Sequence, residues 1–229
     1  MPIPVDGFFR YKDVPVHQNP DCLDVFRAFL LKNRFTHILE IGTGFGGFAM
    51  FLKDTLPNAK IVTYDIVRRD SYNILSNYGV DAKIRQVFSD EINLTDHTIC
   101  YSQLDPEKVN CYKEAKLVDI EARDFLAEYG RKLILCDGGH KVSEFKCLAS
   151  FLRTGDFIMA HDYAESYEKF NSEIRNKYWD WCEVEEKYIA EPSKQYGLEF
   201  YNQDVFSKIA WVCKQKAFSM DERYPASLF

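Results

Sequence analysis

Long apolar runs are missing from this sequence. No stretch approaches the ~20 consecutive apolar residues of a membrane-spanning helix. The opening MPIPVDGFFRYKDV lacks the charged-then-apolar pattern of a secretory leader. Cysteine pairing signals are missing too: the seven cysteines, at 22, 100, 111, 136, 147, 182 and 213, are odd in number, scattered and never spaced C-x-x-C. That suits a reducing compartment better than a disulfide framework. Cys136, Cys147 and Cys213 sit in apolar runs, where a free thiol acts as a small hydrophobe. Excess positive charge is also missing. The net charge of −6 argues against a nucleic-acid partner, although it leaves room for a local basic patch. There is no internal repeat and no low-complexity tract. These absences describe a soluble, cytoplasmic protein that meets neither membrane nor nucleic acid.

What is present is a core. Of 229 residues, 46% are hydrophobic and 15% aromatic. With roughly 100–200 residues per domain, we expect a single domain over 1–229. Pro2, Pro4 and Pro15 oppose helix, so residues 1–18 read as an extended arm. NPD at 19–21 starts a helix, with Asn19 able to cap and Pro20 suited to the first turn; arm and helix fill 1–36. HILEI (37–41), AKIVTYDI (59–66) and AKIRQVF (82–88) read as strands. Apolar residues at helical spacing lie between them, with the first helix stopped at Pro57 and the second at Gly79. A helix over 117–129, a strand at 132–137, a helix from Val142 to Leu152 and a strand at 156–162 follow. The alternation predicts an α/β, Rossmann-like, doubly wound fold: a mostly parallel sheet with helices on both faces. Tyr167, Phe170, Ile174, Tyr178 and Trp181 have the spacing of a long helix packed on the core. Residues 183–190 and 206–214 read as a C-terminal antiparallel pair. Residues 89–116 show weak periodicity and read as an insertion or lid.

The stretch ILEIGTGFGGFAMFL (38–52) carries the chemistry. As G-x-G-x-x-G, with Gly42, Gly44 and Gly47, it suits a dinucleotide. As E-x-G-x-G, led by Glu40, it suits S-adenosylmethionine. Glycines let the backbone approach either ligand. Glu40 discriminates, because a carboxylate beside the loop repels a pyrophosphate, which the helix N-terminus would have to hold. The same carboxylate suits a ligand carrying a sulfonium and an ammonium. Asp65, closing the second strand, can accept from ribose hydroxyls of either ligand.

LEIGTGFGG and VTYDI resemble the first motif and the ribose-binding acid of the class I S-adenosylmethionine-dependent methyltransferases. LILCDGGHKVSEFKCLASFLRTGDFIMAHDY (133–163) is similar to a subgroup in which one strand ends D-G-x-H and the next H-D-Y. That subgroup is related to sugar and antibiotic O-methyltransferases, some of which use a divalent metal. LRTGDF stands where the subgroup has a proline-glycine turn. The resemblance covers about residues 37–163. It implies cofactor contacts at Glu40, Gly42, Thr43, Gly44 and Asp65, adenine packing at Ile66, and adenine-edge contacts at Ser89 and Asp90.

Asp137 and Asp162 end strands expected to lie side by side, ~4.8 Å apart, at the carboxyl edge where ligands of such sheets bind. Two close carboxylates repel and raise one pKa unless something intervenes. One candidate is Mg2+ or another divalent cation held by Asp137, His161 and Asp162, which would acidify and orient a substrate hydroxyl. The other is metal-free, with His140 as base, since an imidazole titrates near ~6.5. In this reading Asp137, His140 and Asp162 are the catalytic residues. Arg68 and Arg69 read as a solvated turn. The expected function is methyl transfer from S-adenosylmethionine to an oxygen of a small-molecule acceptor, for instance a sugar, in a protein compatible with oligomerisation. An NAD-dependent oxidoreductase, a non-catalytic Rossmann-like binding module, and N- or C-methylation stay open.

Overall fold

The computed structural model describes residues 9–88, 118–177 and 179–217. The expected arm is a hairpin, β1 (Phe9–Tyr11) against β2 (Val14–Val16). Lys12 and Asp13 both take positive φ between them, the two-residue loop whose twist matches paired strands. Helix α1 (Cys22–Asn33) buries Cys22, Phe26, Phe29 and Leu30, the positions whose spacing marked it. Asn19 accepts the Asp21 N–H just ahead of it.

The alternating units follow: β3 (His37–Ile41), α2 (Gly47–Thr55), β4 (Lys60–Asp65), α3 (Tyr72–Asn77) and β5 (Asp81–Ile84). The strand expected to reach residue 88 ends at 84, and Phe88 instead forms an isolated bridge to Val118. The expected insertion at 89–116, with Ser89 and Asp90, lies outside the described residues. Then come α4 (Ile120–Ala127), β6 (Lys132–Cys136), α5 (Lys141–Leu148) and β7 (Phe157–Ala160). β3 and β6 are buried at every position, as strands covered on both faces must be.

Two expectations for the last third are corrected. The long helix over 167–181 is only a short one, α6 (Tyr167–Lys169), running into a π-type turn at Phe170–Ile174. Only part of its aromatic stripe packs: Phe170 is buried, Tyr167 and Trp181 are half exposed, and Tyr178 lies outside the described residues. Arg175 is extended and Asn176 left-handed, so the chain reverses and β8 (Tyr163–Ala164) pairs in parallel with β9 (Val184–Glu185). The strand expected over 183–190 is mostly helix α7 (Glu186–Gln195), which buries Ile189, Pro192 and Ser193 on one side. The antiparallel pair exists, but it is β10 (Leu198–Phe200) with β11 (Val212–Lys216). Helix α8 (Gln203–Phe206) and the 3-10 turn Ser207–Ile209 that follows it occupy the start of the segment expected as the second strand.

The main sheet has the order β10-β11-β7-β6-β3-β4-β5. The five strands from β7 to β5 are parallel, while β11 runs antiparallel to β7 and β10 to β11. The fold is therefore the expected doubly wound, mostly parallel sheet. Alternate side chains feed two cores. Ile38, Leu133, Leu135, Phe157 and Met159 face α1 and α2, where Phe26 meets Phe48 and Trp211 edge-on at 5.1 and 5.3 Å. Leu39, Ile134, Cys136, Ile158 and Val212 face Phe125 of α4, Phe145 of α5 and Ile189 of α7. The strand order reverses between β3 and β6, so the ligand crevice of such a sheet lies at their carboxyl ends. The hairpin seats on α2 so closely that a Cβ on Gly47 would lie 2.6–2.8 Å from Val16, Pro15 and Val14. The third glycine of the loop thus serves packing of the hairpin. The five cysteines among the described residues are free. No helix among them is long and apolar enough to cross a membrane.

Candidate active site

The loop after β3 is built on β4. The N–H groups of Gly42 and Thr43 both donate to the Tyr64 carbonyl, at 2.8 and 3.2 Å. Glu40, 2% exposed, accepts the Thr63 hydroxyl at 2.6 Å. The Thr43 hydroxyl lies 2.6 Å from that of Thr63, so Thr43 is turned into the loop's scaffold. Burial raises the Glu40 carboxyl to about 8 against the opposing Thr63 bond. Asp65 Oδ2 accepts the Gly44 N–H at 2.8 Å and Oδ1 the Val67 N–H at 2.9 Å. Ile66 follows, half exposed. Among the described residues a Cβ on Gly44 would meet nothing within 4 Å. The buried Tyr72 hydroxyl faces Thr43, Asp65 and Glu40. An open backbone edge and two acids suit a polar, cationic nucleoside ligand.

Across the switch point, the Asp137 N–H donates to the Ile41 carbonyl at 2.9 Å, and the His161 N–H to the Cys136 carbonyl at 3.1 Å. Asp137 and Asp162 therefore converge as expected, with His161 Nδ1 2.9 Å from Asp137 Oδ1 and 3.6 Å from Asp162 Oδ1. Asp162 is left-handed, φ 54°, a conformation short polar residues tolerate at a cost of roughly 1–2 kcal/mol. Its carbonyl accepts Glu183 and Val184 N–H at 2.9 and 3.2 Å, which fixes that geometry. His140 stands at the N-cap of α5, partly buried and with no side-chain capping bond. The turn between is fastened by Glu144, which accepts the Gly138 and His140 N–H groups at 3.2 and 3.1 Å.

The repulsion expected between the acids is answered by Lys141. Its Nζ lies 2.6 Å from Glu183 Oε2, 3.1 Å from Asp162 Oδ2 and 3.8 Å from Asp137 Oδ1. Burial disfavours the Asp162 carboxylate, yet His161 and Lys141 outweigh it and its pKa falls. For Lys141 burial opposes the charge, and Asp162, Asp137 and Glu183 raise it well above the lysine range. Asp137, His161 and Asp162 each offer a ligand atom, all within 4.8 Å of one another, a span that suits a divalent ion. The space does not: an ammonium already stands within hydrogen-bonding distance of one of the three, and two cations repel.

Sequence reasoning missed Lys141, Glu183, Glu144 and Gln18. Glu144 carried a signal, standing one helical turn after the N-cap His140; Lys141 did not, because Asp137 lies in the turn ahead of that helix. Gln18 bridges the hairpin to the site: Trp211 Nε1 donates to Oε1 at 2.9 Å, and Nε2 donates to Asp137 Oδ2 at 2.5 Å. An indole only donates and a carboxylate only accepts, so this orientation of the amide is forced. Gln18→Ala leaves a buried indole N–H unpaired, and we expect a loss of about 1–3 kcal/mol in denaturant unfolding. Cofactor affinity should stay unchanged; weakened affinity with unchanged stability would contradict this bridging role.

By sequence, no protein-family model and no curated protein matches the chain. Solved structures do. An O-methyltransferase family protein from Burkholderia thailandensis shares 9% identity over 86% of this chain and 55% of its own, TM-score 0.53. The chain thus spans about half of that protein. A candidate caffeoyl-CoA O-methyltransferase from Staphylococcus aureus shares 15% over 89% of this chain and 87% of its own, TM-score 0.52. The D160 form of CmcI with Mg and SAM shares 14% over 91% and 77%, TM-score 0.57. Strand order, switch point and these likenesses agree: the chain has the fold of the class I S-adenosylmethionine-dependent O-methyltransferases.

Proposed function

We propose that this protein transfers a methyl group from S-adenosylmethionine to a hydroxyl oxygen of a small-molecule acceptor. The observation that carries the reading is the meeting of two sites at one switch point. The Glu40–Asp65 loop lies on β3 and β4, and the Asp137–His161–Asp162 cluster on β6 and β7. They touch where a Cβ on Gly42 would sit 2.1 Å from the Asp137 carbonyl. S-adenosylmethionine, when bound, supplies a methyl group on a sulfonium. Asp65 would take the ribose hydroxyls, half-exposed Ile66 the adenine face, and Glu40 the cationic end. His140, on the turn between β6 and α5, would take the acceptor's hydroxyl proton. Asp137 and Asp162 would hold the acceptor, since positioning dominates an in-line displacement. The pairing of a buried Glu40 with the loop disfavours a dinucleotide, whose pyrophosphate would face that acid.

Mass spectrometry of an acceptor library with labelled cofactor tests the activity. Calorimetry with S-adenosylmethionine and with NAD tests the ligand; NAD binding alone would refute the reading. Asp65→Ala should cost ~1.5–3 kcal/mol of binding for each charge-assisted hydrogen bond lost. Unchanged affinity in a variant that still melts cooperatively would remove Asp65 from the site.

A further inference from the structure

We propose that Lys141 is the resident cation of the strand-end cluster: its ammonium holds Asp137 and Asp162 where a divalent ion would, and excludes that ion. Its part in methyl transfer, as a positioning residue, rests on the reading above; the exclusion of metal does not.

Lys141 is an unfavourable choice on local grounds. It is the first residue of α5, where the positive end of the helix dipole repels a cation. Its side chain is only 8% exposed, and an isolated buried ammonium is costly. Neither the helix nor the core accounts for a lysine here. Three carboxylates from three segments do: Asp137 at the end of β6, Asp162 beyond β7, and Glu183 ahead of β9, at 3.8, 3.1 and 2.6 Å. Glu183 comes into range because the chain reverses at Arg175 and Asn176, and its N–H is held by the Asp162 carbonyl at 2.9 Å. Lys141 thus has a dedicated third partner, which a merely incidental neighbour of two acids would not need. His161, its ring 4.9 Å from that of Trp211 and tilted to it by 31°, directs Nδ1 at Asp137, so both acids are already engaged by protein donors. A divalent ion needs oxygen ligands at ~2.0–2.6 Å, and it would have to displace the Lys141 ammonium from Asp162 and break the His161–Asp137 hydrogen bond.

The test is titration of Mn2+ into the full chain, read by the free-ion electron paramagnetic resonance signal, with no acceptor present. Wild type should leave that signal undiminished. Lys141→Met keeps the stem and removes the charge; it should quench the signal at one ion per chain. Lys141→Arg should behave as wild type. A further change of Asp162→Asn in the methionine variant should restore the free signal, which shows that the folded cluster is what binds. Stoichiometric Mn2+ binding by wild type would overturn the proposal, as would a folded Lys141→Met variant that binds none. Failure to find methyl transfer would leave the Mn2+ result standing, so the two readings fail separately.

Discussion

S-adenosylmethionine should bind about 25-fold more tightly at about pH 7.5 than at about pH 6, because only the fraction of protein with an ionised Glu40 is competent for a cationic ligand. Burial holds the free carboxyl up at about 8, with the Thr63 hydroxyl opposing. Below that value each pH unit removes close to tenfold of the competent form, at ~1.4 kcal/mol per unit. Binding at neutral pH should therefore release a proton, visible in calorimetry as a heat that varies with the buffer's ionisation enthalpy. The cofactor's own α-amino group, which titrates near ~7.7–8.0, is still mostly protonated at about pH 7.5, and Glu40→Gln isolates its share of the profile. Glu40→Gln keeps the shape and should flatten the profile. A wild-type affinity that is flat over this range, or a slope that survives in Glu40→Gln, would take Glu40 out of the binding site. The same shift has a stability sign. A raised carboxyl stabilises the fold below its unfolded pKa and loses that contribution as pH rises through the folded value. Without cofactor the melting temperature should fall toward pH 8, and burial of Glu144, raised to about 7, adds to the decline.

The second large effect separates two glycines three atoms' reach apart in role. Gly42 has φ 92°, and an added Cβ would lie 2.1 Å from the Asp137 carbonyl oxygen and 2.9 Å from the Gly138 nitrogen. Both neighbours are backbone and neither can rotate away. Gly42→Ala combines left-handed strain of roughly 1–2 kcal/mol with overpacking of roughly 1–3 kcal/mol. For a chain of this size that lowers the melting temperature by roughly 5–20 °C. It should also displace Asp137 and so disturb the acceptor side along with the cofactor side. Gly44 has φ 53° and open space before it among the described residues. Gly44→Ala should cost only the backbone strain, yet place a methyl where the ligand lies and abolish cofactor binding. Calorimetry and thermal melts on the two variants check this pair. Full affinity in Gly44→Ala would show that the ligand does not use that space.

The glycine loop and its flanking strands were legible because their signals are local. Glu40, the glycines and Asp65 sit at strand ends, and runs such as HILEI and KLILC can hardly be other than buried strands. Asp137 and Asp162 were legible as a pair for the same reason, since β6 and β7 are neighbours. Lys141–Glu183 was not, because 42 residues separate them and only the reversal at Asn176 joins them. The stripe from Tyr167 to Trp181 misled because spacing records where apolar residues fall, while burial depends on how far neighbours cover them, and Tyr167 and Trp181 stay half exposed despite ring contacts with Phe170 and His17. Helix α7 was hidden by Pro192, which stands inside it where proline normally argues against helix. Ser193 Oγ turns back to the Ile189 carbonyl at 2.7 Å there.

The Gln18 bridge also sets an order of assembly. The partners of Gln18 lie far along the chain from it, Asp137 by 119 positions and Trp211 by 193. On the ribosome Gln18 and Asp137 are both made at least 74 residues before Trp211, a lead of roughly 4–15 s at ~5–20 residues per second. The amide and the carboxylate can therefore meet before the indole that fixes the amide's orientation exists. The contact with Trp211 is the last of the bridge to become possible, and it joins the segment after the opening hairpin to the residue just ahead of β11.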